Sequence, residues 1–298
     1  MSSFPSRHAE LGDAQAVAEL ISAMEQAHGE GGSYALADLE DEWRTVDLQR
    51  DAWVVLDGTR VVGYGSLRDR GEMWRIEAFV HPDAFGRGIG TQLASELERE
   101  AFARGAKRVH NTVLEHDDRA RAIVRARGFH EVRRFREMRI ELTEQPDPPS
   151  WPAGFQAEAF DLERDARAFH AAQQEAFADH WEYSPRSFEQ WSDNLEGPGF
   201  EPLLWCVVRE GGEIAAGLIA VAERYGSGWI DTVFTRRPWR RRGLAAALLD
   251  ETFRKFWDRG QTSIGLGVDA QSDTGAFQLY ERAGMHPAWS GIVFEKTL

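Results

Sequence analysis

The segment Pro238-Trp-Arg-Arg-Arg-Gly-Leu-Ala-Ala-Ala-Leu-Leu249 gathers arginines just ahead of a small-residue, leucine-containing run. The whole chain carries a formal net charge of -14, so like charges clustered here either form a solvated turn or face something anionic. Arg240, Arg241 and Arg242 lead into Gly243, Leu244 and Ala245. A glycine at that point lets the backbone turn tightly and approach a ligand closely. The first N–H groups of the following helix lack intrahelical acceptors and sit at the positive end of its dipole. Arginines beside such donors suit a pyrophosphate or a ribose phosphate. The pattern Gly-x-x-x-x-Gly-Lys-[Ser/Thr] of nucleotide hydrolases is absent, and no lysine follows the loop glycine.

The same device occurs earlier, in Phe79-Val-His-Pro-Asp-Ala-Phe-Gly-Arg-Gly-Ile-Gly90. Phe79, Arg87 and Gly88 match Phe234, Arg242 and Gly243 at a constant offset of 155 (243 − 88), with Val80 and Gly90 completing the first loop. The register persists: Arg104-Gly105 matches Arg259-Gly260, and Arg125-Ala-Arg-Gly-Phe129 matches Glu281-Arg-Ala-Gly-Met285 at an offset of 156 (284 − 128). Such self-similarity makes the chain two copies of one unit. Between them Thr143-Glu-Gln-Pro-Asp-Pro-Pro-Ser-Trp-Pro152 is rich in prolines that break helix and ladder alike. The sequence therefore predicts an N-terminal domain over 1–142, a linker over 143–152 and a C-terminal domain over 153–298.

Within each copy a leading hairpin gives way to alternating helices and strands. In the first, Asp13 reads as an N-cap, Asp57-Gly58 as a hairpin turn, 73–80 as a strand, 91–104 as a helix, 107–114 as a strand and 118–127 as a helix ending at Gly128. The second repeats this with strands near 205–209, 214–222, 229–235 and 263–268 and helices over 244–259 and 275–283. The expected fold class is α/β (α+β): in each half a mixed, mostly antiparallel sheet flanked by helices.

Composition limits the function classes. With 42% hydrophobic and 28% charged residues, the chain reads as an ordinary globular protein. Its acidic balance argues against nucleic acid, whose phosphates require basic surface, and would suit a cationic acceptor. No apolar run approaches the length of a membrane span and the N-terminus is polar, so a cytoplasmic protein without a membrane partner is expected. The single cysteine, Cys206, lies in Leu-Trp-Cys-Val-Val and reads as a buried strand residue. The histidines are scattered without paired-ligand spacing, so no metal is expected.

Arg240-Arg-Arg-Gly-Leu-Ala245, preceded by a strand and followed by Leu279-Tyr-Glu-Arg-Ala-Gly-Met285, resembles the acyl-coenzyme A signature of the GNAT (GCN5-related) N-acetyltransferases. The tandem arrangement resembles the mycothiol synthase group of two-domain GNAT proteins. The resemblance implies acetyl-CoA as acyl donor and direct attack of a small-molecule amine on the thioester. It implies that the strand before the loop splays from its neighbour over Thr232, Val233, Phe234 and Thr235 and offers an oxyanion-type N–H. It also implies that Tyr280 protonates the departing thiolate and that Ser272, where the family often has Asn, contacts the pantetheine arm. Tandem copies supply the pairing that single-domain relatives form between chains, which makes a monomer plausible.

The copies are unequal. Phe85 stands where Arg240 stands, Val124 where Tyr280 stands, and His116 where Ser272 stands. Val124 has no proton to donate, so the first copy is expected to be catalytically degenerate, with coenzyme A binding left to Phe79, Val80, Arg87, Gly88 and Gly90. For the general base that a protonated amine requires, Asp231 is the first choice. Glu223 and His180 are read as acceptor-side residues, and Glu77 in the first copy as structural. The alternative function is a non-catalytic acyl-CoA binding or sensing protein.

Overall fold

The computed structural model describes residues 4–29, 34–196 and 200–298. In chain order the elements are β1 (Ser6–His8), α1 (Ala14–Ala27), α2 (Leu36–Trp43), α3 (Leu48–Asp51), β2 (Ala52–Asp57), β3 (Arg60–Arg70), β4 (Met73–Val80), α4 (Ile89–Ala103), β5 (Arg108–Leu114), α5 (Asp118–Ala126) and β6 (His130–Glu141). There follow β7 (Ala157–Ala159), α6 (Leu162–Phe177), α7 (Phe188–Ser192), β8 (Cys206–Glu210), β9 (Glu213–Arg224), β10 (Ser227–Thr235), α8 (Leu244–Asp258), β11 (Ser263–Asp269), α9 (Ala276–Arg282) and β12 (His286–Thr297).

These elements form two compact units that divide the chain differently from its repeat. One is Met1–Phe135 with Trp289–Leu298; the other is Arg136–Ala288. In the first unit the strand order is β1-β2-β3-β4-β5-β12, and the final strand of the second copy pairs antiparallel with β5 from Gly291↔Leu114 to Thr297↔Arg108. Glu295 on β12 accepts from Arg108 Nη1 at 2.7 Å and meets His110 Nε2 at 2.7 Å. Lys296 donates to Glu98 at 2.6 Å, while Ile292 and Phe294 enter the core built around Trp53, Leu67, Ile76 and Leu97. In the second unit the order is β6-β11-β10-β9-β8-β7, so the last strand of the first copy supplies residues 136–141 here. The boundary expected at 142 and 153 thus follows the repeat and not the packing. Each copy ends in a strand of the same pattern, and alternation alone does not say which sheet edge a strand completes.

Each sheet is mixed. β4 with β5 and β10 with β11 are parallel, whereas β1–β2, β2–β3, β3–β4, β5–β12, β7–β8, β8–β9 and β9–β10 are antiparallel. In the first unit α4 packs on β3 and β4. In the second, α8 packs on β9 and β10, and α6 also packs on both. Cys206 is buried in β8 as expected, with Lys255 Nζ 3.2 Å from its sulfur. Asp13 is not the side-chain cap of α1. Its carboxylate accepts both Arg7 Nη1 (2.7 Å) and Nη2 (2.8 Å) and the Glu10 N–H.

The start of helix α6 is well marked in the sequence. Asp161 accepts from Arg164 N at 2.8 Å as N-cap. Asp165, whose side chain is 0% exposed, accepts Arg164 Nε at 2.7 Å, the Asp161 N–H at 2.9 Å and Arg209 of β8. Burial works against its charge, but the hydrogen bonds from Arg164 and Asp161 and the charge of Arg209 outweigh it and hold the carboxyl below its usual range. Asp165→Ala removes the buried carboxylate that Arg164, Arg209 and the Asp161 N–H share and is expected to cost roughly 3 kcal/mol of stability at pH 7. Because the folded value is depressed, this contribution is present above about pH 4 and is lost as the pH falls further. Urea unfolding at pH 7 and pH 3 should show the gap between wild type and variant closing at the lower pH.

Gly217 on β9 lies against Phe169 of α6. A Cβ there would lie 2.5 Å from Phe169 and 2.6 Å from Phe234. Gly217→Ala is therefore expected to destabilise by about 1–3 kcal/mol through overpacking, read as a lower urea midpoint with unchanged m-value.

Candidate active site

The site begins where two parallel strands part. β10 and β11 pair at Gly228↔Ile264, Trp229↔Gly265 and Ile230↔Leu266; β10 then runs on to Thr235 and β11 to Asp269 without further pairing. A strand turns its N–H and C=O groups toward both neighbours, so the half from Asp231 to Thr235 offers ladder groups that β11 does not take. On its other side this half stays paired with β9, from Thr232↔Ile219 to Thr235↔Ala216, and a register shift between Ile230 and Thr232 makes Asp231 a bulge residue. In the first unit β4 and β5 part likewise after Ile76↔Asn111. There β3 and β4 remain in continuous register from Gly63↔Val80 to Arg70↔Met73, without a bulge.

Beyond the parted strand, each loop turns into its helix through a left-handed glycine, Gly88 at φ 87° and Gly243 at φ 85°. The first helical bond back to each glycine comes from Gln92 N (3.0 Å) and Ala247 N (3.1 Å). Among the described residues, the amides from Gly86 to Thr91 and from Arg241 to Ala246 have no acceptor. A run of unpaired donors at the positive end of a long helix is an anion cradle, and it is the same in both units. At the position where the first loop has Gly86 (φ 79°), the second has Arg241 at φ 63°, a non-glycine residue held left-handed at a cost of roughly 1–2 kcal/mol.

The three arginines have separate tasks. Arg240 turns inward: Nε donates to Thr235 O (3.2 Å), Nη2 to Ala176 O (3.0 Å) at the end of α6, and Nη1 lies 3.6 Å from Asp179. Arg242 spans Glu210 with both Nη atoms (3.2 and 2.8 Å) and stacks on Phe155. Arg87 makes the corresponding contacts to Asp57 (2.7 Å) and Phe4. Two of the three arginines read as phosphate ligands therefore fasten the loop to its own unit, and only Arg241 has no ion-pair partner among the described residues. Arg237 also pairs with Asp179 and holds its carboxyl below the usual range. The 178–183 segment is thus tied to the loop.

Tyr280 sits on α9, 7% exposed and packed in the core of the second unit. Its hydroxyl has no hydrogen-bond partner among the described residues, and burial pushes its pKa up to about 12. The phenol therefore stays protonated across the physiological range. Ser272, in the turn after β11, is hydrogen-bonded to Thr274 Oγ1 at 2.9 Å. Phe234 is buried against Phe169, and Thr235 Oγ1 is sealed without a partner. In the first unit Val124 is buried at the matching place on α5. Phe85 lies under Arg119, His116 stands edge-on to His28, Phe79 stacks on Tyr64, and Val80 lines Gly90.

Of the acid–base candidates, Asp231 is at the bulge, ion-paired to Arg224 of β9. Glu223 is not brought to the parted half. It lies beside Arg224, which pairs with Ser227 at the hairpin end, where β10 is about to join β11. His180 packs on Phe177 with ring centroids 4.3 Å apart. Glu77 accepts from Ser66 at 3.3 Å and bears on a half-buried cluster in which Arg68 donates to Glu42 at 2.8 Å. Burial, with the nearby Glu77 charge, pushes the Glu42 carboxyl up. Sequence reading missed Gln173 on α6, which donates to Thr232 Oγ1 at 3.3 Å; the N-cap Asp161 and the apolar residues behind it were the available signal.

Comparison with known proteins identifies the family. The acetyltransferase (GNAT) family model matches the chain twice, over residues 15–129 and 144–285. A mycothiol acetyltransferase of Streptomyces scabiei is 30% identical over 233 residues, 76% of this chain and 73% of its own length. Another, from Parafrankia sp., is 28% identical over 93% of each chain. The crystal structure of a GCN5-related N-acetyltransferase from Sphaerobacter thermophilus superposes with a TM-score of 0.87 at 32% identity, covering 99% of this chain and 95% of its own. A tandem GNAT protein from the clavulanic acid biosynthesis pathway shares the fold at 17% identity, with a TM-score of 0.77 over 99% and 98% of the two chains.

Proposed function

Because the chain belongs to the GNAT acetyltransferase family and is an acyltransferase of tandem, mycothiol synthase-like architecture, we propose that its second unit transfers the acetyl group of acetyl-CoA to a small primary amine. The observation that carries this reading is that the anion cradle from Arg241 to Ala246, the parted half of β10 and the hydroxyl of Tyr280 all belong to that one unit. The cradle fits a pyrophosphate, and the ladder groups of Thr232–Phe234 that β11 does not take fit the amides of a pantetheine arm. When bound, acetyl-CoA supplies an activated thioester carbonyl. An N–H of the parted strand donates to that carbonyl's oxygen and stabilises the negative charge that develops on it, with the bulge at Asp231 setting its aim.

Asp231, held in place by Arg224, takes the ammonium proton of the acceptor, directly or through water. Tyr280 gives its proton to the departing sulfur and recovers one, through solvent, from the nitrogen as the amide forms. Protons therefore balance: the ammonium loses two, one going to the thiol by way of Tyr280 and one to solvent by way of Asp231. In the first unit Val124 removes the donor while the cradle is kept, which supports coenzyme A binding without turnover there.

Similarity to mycothiol acetyltransferases makes the unacetylated mycothiol precursor the first acceptor to test. Thiol release from acetyl-CoA would be followed with that amine, D-glucosamine and methylamine, with mass spectrometry of the product. A product heavier by one acetyl group on nitrogen supports the reading, and amine-independent behaviour throughout, with acetyl-CoA bound, favours a binding protein.

A further inference from the structure

Gln173 projects from α6 onto the parted half of β10. Its Nε2 donates to Thr232 Oγ1 at 3.3 Å, whereas its carbonyl oxygen is sealed from solvent and has no donor. Either assignment of the amide head leaves one buried polar atom unmatched, and such an atom is costly to bury. The surroundings are rigid enough to enforce this. One turn earlier Phe169 packs edge-to-face on Phe234, and α6 is anchored by the buried Asp165. The next residue, Gln174, is committed elsewhere, accepting from Tyr183 Oη at 2.7 Å and Arg186 N at 3.0 Å. Thr232 is the first residue after the bulge, two beyond the last β10–β11 pair. The unmatched acceptor thus lies against Thr232, at the start of the parted half of β10.

We propose that Gln173 is a positioning and specificity-determining residue for the acceptor: as the acceptor arrives the amide head turns out of its sealed place, and its carbonyl oxygen takes an N–H of the incoming primary amine and orients the nitrogen toward the thioester. This rests on the reading of the second unit as the active one. It implies a preference for amines that keep a second N–H after attack geometry is reached, so that primary amines are favoured over secondary ones of the same size. It also implies that the polar head is kept at an expense in stability, as at other sites where function and packing conflict.

The test compares wild type, Gln173→Leu and Gln173→Glu, with Tyr280→Phe as the control for the underlying reading. Thiol release is measured with methylamine, dimethylamine and the unacetylated mycothiol precursor, together with calorimetric binding of acetyl-CoA and thermal melts. In Gln173→Leu the amine KM is expected to rise about tenfold, the methylamine over dimethylamine preference to shrink by a similar factor, acetyl-CoA affinity to stay within twofold, and Tm not to fall. Gln173→Glu keeps an acceptor oxygen and is expected to retain the preference. If Gln173→Leu leaves amine KM unchanged, or instead weakens acetyl-CoA binding, the role assigned to Gln173 is wrong. If Tyr280→Phe does not slow turnover, or the wild type acetylates none of these amines, the reading of the second unit fails, and the role of Gln173 fails with it.

Discussion

Tyr280→Phe is expected to lower kcat by about 100-fold or more, within the range contributed by positioned acid–base groups, while acetyl-CoA binds as it does to wild type. The two effects separate because the hydroxyl has no protein partner among the described residues and the ring is part of the core. Phenylalanine refills that space, and no buried donor or acceptor is left behind. Unfolding should accordingly shift little. Burial holds the phenol near 12, so the wild-type rate should show no loss of the donor on the alkaline side below about pH 11. An alkaline limb near pH 10 belonging to Tyr280, abolished in the phenylalanine variant, would contradict that environment.

Gly243→Glu is expected to weaken acetyl-CoA binding to the second unit by 100-fold or more, about 2.7 kcal/mol or greater, and to silence turnover. Two physical effects combine. The position is left-handed, φ 85°, so any side chain strains it. A carboxylate among the free amides of Arg241–Ala246 also competes for the donors that an anionic ligand needs. The fold should survive: the nearest atom to a Cβ there is Pro152 Cγ at 3.6 Å, an ordinary contact. A strain of roughly 1 kcal/mol lowers Tm by only a few degrees in a unit of this size.

The loops, the helix after each, Tyr280 and the loss of its counterpart at Val124 were legible because the chain repeats itself, and a repeat turns a weak local pattern into a strong one. Three features were not. The exchange of final strands depends on which sheet edge each one reaches, a long-range choice that the shared alternation of β6 and β12 leaves open. The partners of Arg240 and Arg242, namely Asp179, the Ala176 carbonyl and Glu210, lie far along the sequence. Charge clustering there signalled a ligand, whereas most of the charge secures the loop. Gln173 carries no motif at all. It became visible only as a buried amide with one half of its hydrogen bonding unmet, next to a bulge at Asp231 that depends on the register between β9 and β10.

The most direct test of the central claim, that the second unit is where acetyl transfer occurs, is to measure amine-dependent thiol release by the paired loop variants Gly243→Glu and Gly88→Glu at saturating acceptor. The expected result is an inactive Gly243→Glu protein and a Gly88→Glu protein that keeps at least half of the wild-type rate. Activity that survives Gly243→Glu and disappears with Gly88→Glu would place the chemistry in the first unit and contradict the account.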